Sequence, residues 1–73
     1  MANQALTDAE ANAIRAHLHQ LQIEHRDLDQ VIYHINMTQP QDELLVRRLK
    51  KRKLLLKDRI QQLEEMLIPD VPA

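Results

Sequence analysis

The chain has no cysteine, glycine, serine, phenylalanine or tryptophan, and its only aromatic residue is Tyr33. Without cysteine there is no disulfide, no thiol nucleophile and no thiolate metal box. Without glycine there are no phosphate-cradling loops, and most β-hairpin turn chemistry is lost with them. A hydroxyl nucleophile would have to be Thr7, Thr38 or Tyr33, and none has an activating base beside it in sequence. No catalytic residue and no cofactor are therefore expected, and the chain is not read as an enzyme. Unbroken aliphatic runs stop at three residues, as at Leu54-Leu55-Leu56, far short of the roughly 20 that a membrane span needs. The start, Met1 to Asp8, is neither basic nor apolar, so no secretory signal is expected and a cytoplasmic protein is the default reading. With 73 residues the chain makes at most one small domain, of a size that usually needs a staple or a partner.

What is present is periodicity. Ile14, Leu18, Leu21, His25, Leu28, Ile32 and Ile35 recur at alternating steps of four and three. Leu49, Lys53, Leu56, Ile60, Leu63 and Leu67 do the same. A mean spacing of 3.5 is the seam of a coiled coil, and Thr38-Gln39-Pro40 interrupts the two ladders. The expected fold is all-α: an antiparallel helical hairpin that pairs into a four-helix bundle.

Local signals set the expected boundaries. Residues 1–6 are read as frayed, with a single hairpin over 7–68. Thr7 followed by Glu10 has the form of a capping box, opening a helix over 7–36. Asn36 stands as its stop, since asparagine tolerates the left-handed conformation where glycine is lacking. Residues 37–39 form the turn. Pro40 suits the first position of a second helix over 40–68, with Asp42 and Glu43 in its first turn. Residues 69–73, which hold Pro69 and Pro72, are read as an extended tail. Folding back about this turn sets Leu28 beside Leu49, Leu21 beside Leu56, Leu18 beside Ile60 and Ile14 beside Leu63, with His25 opposite Lys53.

The strings Glu24-His25-Arg26-Asp27-Leu28-Asp29 and Leu49-Lys50-Lys51-Arg52-Lys53-Leu54-Leu55-Leu56-Lys57-Asp58-Arg59-Ile60 resemble the YdcH-like family of small bacterial proteins. The likeness covers about residues 14–67, and the second string is the more specific. It implies a short cytosolic helical hairpin or coiled coil and no activity, the family being a domain of unknown function. Leu55 departs from the family pattern, which usually has a polar residue there, and widens the apolar surface.

Four features compete for a functional role. His25 and Lys53 each replace an apolar rung, and polar seam residues of this kind fix register at some cost in stability. Lysine can lay its stem along the seam with its ammonium in water. Two cations facing each other would repel, and Glu24 or Asp29 is expected to sit close enough to help. Metal binding is not expected, since His17 and His19 are two apart and no two histidines have the three- or four-residue spacing that lets helical ligands converge. Eight of the ten basic residues fall between Arg47 and Arg59, accompanied there by one acid, Asp58. Arg47, Arg48, Lys50, Lys51, Arg52 and Lys57 make that run a candidate anion-binding surface for nucleic acid. Against this, Tyr33 offers no stacking platform, and Glu24, Asp27 and Asp29 fold alongside the run and are expected to neutralise it. Lastly, Leu44, Leu45, Leu54, Leu55 and Met66 lie off the seam of the second helix, and Ile23, Val31 and Tyr33 off that of the first. Two helices cannot enclose so wide an apolar stripe, so a homo-oligomer, a dimer first of all, or a helical protein partner is expected. The leading function on sequence grounds is a protein–protein interaction or oligomerisation module, with nucleic-acid association as its rival.

Overall fold

The computed structural model describes residues 6–68. The expected extended tail, and all of the expected frayed start except Leu6, lie outside the described residues. Two helices make up the fold: α1, Asp8–Thr38, and α2, Glu43–Leu67. They pack side by side as an antiparallel hairpin with overall extents of 52 × 22 × 17 Å. No strand occurs among the described residues.

The start of α1 follows from its capping chemistry. The Glu10 amide donates to the Thr7 hydroxyl at 3.1 Å, and the Thr7 amide donates to the Glu10 carboxylate at 2.9 Å. Two orphan N–H groups are thereby satisfied reciprocally. The hydrogen bond from the Thr7 backbone amide, assisted by the Thr7 side chain, holds the Glu10 carboxyl below its ordinary value.

The inner ends differ from the sequence reading. Asn36 does not stop α1, and no described residue has positive φ. The helix runs two residues further, and the Thr38 hydroxyl donates to the His34 carbonyl at 2.8 Å. It ends because Gln39 precedes a proline, which disfavours the helical region, and Gln39 sits at φ −138°, ψ 63°. Pro40 is not the first residue of α2 either. It takes the second position of a four-residue turn closed by the Asp42 amide donating to the Gln39 carbonyl at 3.0 Å. The fixed φ of proline suits that position. Asp42 is then the N-cap of α2, without a side-chain capping bond. At the far end Ile68, ahead of Pro69, is extended and closes α2.

Moving the fold point towards Pro40–Gln41 changes which rungs meet. Ile32, Ile35 and Val46 form a buried cluster against which Leu45 and Leu49 pack. Leu49 packs on that cluster and Lys53 reaches Asp29, four residues or one turn past His25 on α1, so the register is shifted by about a turn. Every rung of both ladders is buried or half-buried, and the buried side chains among the described residues are Leu21, Ile32, Ile35, Val46 and Leu63. Val46 extends the second ladder, three residues before Leu49.

Candidate functional site

The one ionic contact between the helices joins the two ladders among the described residues. The Lys53 ammonium donates to Asp29 Oδ1 at 2.6 Å, and Asp29 Oδ2 lies 4.0 Å from His25 Nδ1. Asp29 is one turn beyond His25 on α1, so both face α2 on the same side. His25 and Lys53 thus do not confront each other alone, because the carboxylate stands between them. Both are half-buried, at 27% and 30% side-chain exposure. The Asp29 carboxyl is held below its ordinary value, chiefly by the hydrogen bond from Lys53, with partial desolvation opposing and the charges of Lys53 and His25 assisting. This corner of the seam is polar, satisfied and open to water. No charge is buried there without a partner.

An open groove of about 690 Å³ runs beside it, lined by Gln22, His25, Lys53, Leu54, Lys57 and Ile60 among others. A smaller one of about 260 Å³ lies at the turn, between Asn36, Pro40, Arg47 and Lys50. Among the described residues no three His, Asp or Glu side chains come close enough to hold a metal ion. No helix there is long and apolar enough to cross a membrane.

The five off-seam side chains of α2 do not share one face. Leu45 turns inward and packs on the Ile32–Ile35–Val46 cluster. At about 100° per residue, Leu54 and Leu55 point to different sides, and Leu54 belongs to the groove beside His25 and Lys57. Leu44, Leu55 and Met66 are eleven residues apart, about three turns, and so lie along one line on the other flank. Their exposures are 68%, 61% and 51%. Arg52 and Arg59 lie between that line and the seam, both exposed. On α1, Val31 and Tyr33 are exposed and Ile23 is half-buried.

The basic run is the larger departure from expectation. Arg47, Arg48, Lys50, Lys51, Arg52, Lys57 and Arg59 are all exposed. Among the described residues Lys53 alone is within ion-pair distance of an acid, and Glu24 and Asp27 neutralise none of the others. The expected charge matching across the hairpin is confined to one pair. The cause is geometric: Asp27 sits on the outer side of α1, about 100° per residue round from the seam residue Leu28.

The chain matches, over residues 18–64, the family described as Protein of unknown function (DUF465). The chain belongs to the DUF465 family. The match is compatible with the YdcH-like resemblance of the two strings. The DUF465 region takes in the Asp29–Lys53 bridge, the turn and the whole basic run, and leaves out the capping box. No curated protein and no solved structure matches the chain.

Proposed function

We propose that this DUF465 hairpin is a non-enzymatic protein–protein interaction module, which pairs through the flank of α2 bearing Leu44, Leu55 and Met66. The observation that carries the reading is that line of three exposed apolar side chains on a hairpin with only five buried ones. A core this small leaves a helical chain dependent on further burial. The simplest partner is a second copy, two hairpins closing into a four-helix bundle about a two-fold axis. Arg52 and Arg59 beside the apolar line require the facing helix to bring acid. Laying α2 of one copy across α1 of the other meets that need with the half-buried Glu24. Laying α2 on α2 would oppose two basic runs. Light scattering over a wide concentration range tests the reading: a dimer that Leu55→Asp dissociates supports it. A chain that stays monomeric at every concentration removes self-pairing.

A further inference from the structure

The outer arc of α2, from Arg47 to Lys57, carries five exposed cations that make no ion pair among the described residues: Arg47, Arg48, Lys50, Lys51 and Lys57. We propose that this arc binds the phosphate backbone of duplex DNA without sequence preference. The proposal does not rest on the pairing of two copies.

The arrangement of the cations argues for this partner. Arg47 is nine residues from the seam residue Leu56, two and a half turns, and so stands on the line opposite the hairpin interface. Lys50 and Lys57 fall roughly 60–80° to one side of it, and Lys51 and Arg48 roughly 40–100° to the other. A helix with cations fanned to both sides of its exposed ridge fits between two rows of phosphates. The major groove of B-form DNA, about 12 Å wide, admits an α-helix. The five residues span about 15 Å of rise, over which duplex DNA presents one charge per roughly 1.7 Å. Glu43, Asp58 and Glu65, all exposed, lie on the same arc beyond either end and bound the footprint.

Other polyanions fit less well. Single strands are held by stacking on aromatic side chains, and Tyr33 lies on the other helix. The major groove of A-form RNA is too deep and narrow for a helix. An anionic membrane asks for a wide apolar face to insert, whereas the outer arc sets five cations around Leu54 alone, with Leu44, Leu55 and Met66 only along its Arg48 edge.

Fluorescence anisotropy with a labelled mixed-sequence duplex tests the proposal. With five phosphates neutralised, the log–log salt slope should be about −4 to −5, a roughly 500-fold loss of affinity between about 50 and 200 mM salt. Replacing Arg47, Lys50 and Lys51 together by glutamine, a good helix former, should cut the slope to about −2 with circular dichroism unchanged. If that variant loses helicity, the single Lys51→Glu variant replaces it and should lower the slope by at least about 1. Arg15→Gln with Arg26→Gln, on α1, should leave binding as it was. The proposal is overturned by no binding at about 20 mM salt, where counterion release is strongest, or by basic-arc variants that keep the full slope. Tighter binding to single strands, or to phosphatidylglycerol vesicles, than to the duplex overturns it equally.

Discussion

The least conventional residues of the seam are its polar ones. Asp29 ties Lys53 across the hairpin and lies 4.0 Å from His25. Because its folded carboxyl titrates below the unfolded value, the ion pair contributes stability above the ordinary aspartate range. That contribution disappears as pH falls from about 4 through the folded value. Thermal melts taken down the acid limb should therefore show a shallower fall for Asp29→Asn than for the native chain; parallel curves would mean the pair is energetically idle. His25→Leu should act in the opposite sense to a functional loss. Replacing a half-buried polar rung by an apolar one should raise the urea midpoint, by an amount equivalent to about 1 kcal/mol. A lower midpoint would show that the imidazole contributes more to the fold than the burial it forgoes.

At the scale of the helices, the signals that act over three or four residues were legible and those that act at the ends were less so. The Thr7–Glu10 box reads directly from the sequence and forms as read. Thr7→Ala should cost about 1 kcal/mol of stability, measured as a shift in the denaturant midpoint. The ladders were equally plain, since a 3.5-residue spacing has no other common cause. Pro40 was ambiguous, because its fixed φ serves the first position of a helix and the second of a turn equally well. The turn position sets the register one turn further along α1 and brings Val46, three residues before Leu49, into the ladder. The ladder marks Leu44, Leu45, Leu54, Leu55 and Met66 as off the seam, but their angles round α2 divide them between the core and two flanks. The charge pairing failed for the same reason, since proximity along the fold does not fix the direction of a side chain. The division between core and flank makes a sharp contrast at two adjacent positions. Leu56→Asp puts a charge in the seam and should abolish most of the helical circular-dichroism signal, while Leu55→Asp should keep it. Equal loss in both would deny that Leu55 lies outside the hairpin core.

For the molecule as a whole, the two surfaces proposed for α2 differ in what they ask of solvent. Pairing through Leu44, Leu55 and Met66 buries chiefly apolar area, with Arg48 on that line and Arg52 and Arg59 beside it, so salt should weaken it only modestly. Binding of a polyanion along the outer arc is governed by released counterions and should weaken steeply. Repeating the light-scattering measurement at low and high salt separates them, the oligomer surviving a change that strips nucleic acid. One consequence follows from the 52 × 22 × 17 Å outline. A rod of these proportions meets more friction in water than a sphere of its mass, so it leaves a sizing column early, and a lone hairpin there takes on the profile of a pair. Its rotation is also unequal about its axes, slow end over end and fast about its length. Since the N–H bonds of both helices point along the slow-tumbling axis, their nuclear relaxation should report the long dimension directly, and adding a second hairpin alongside would shorten that anisotropy even as it doubled the mass.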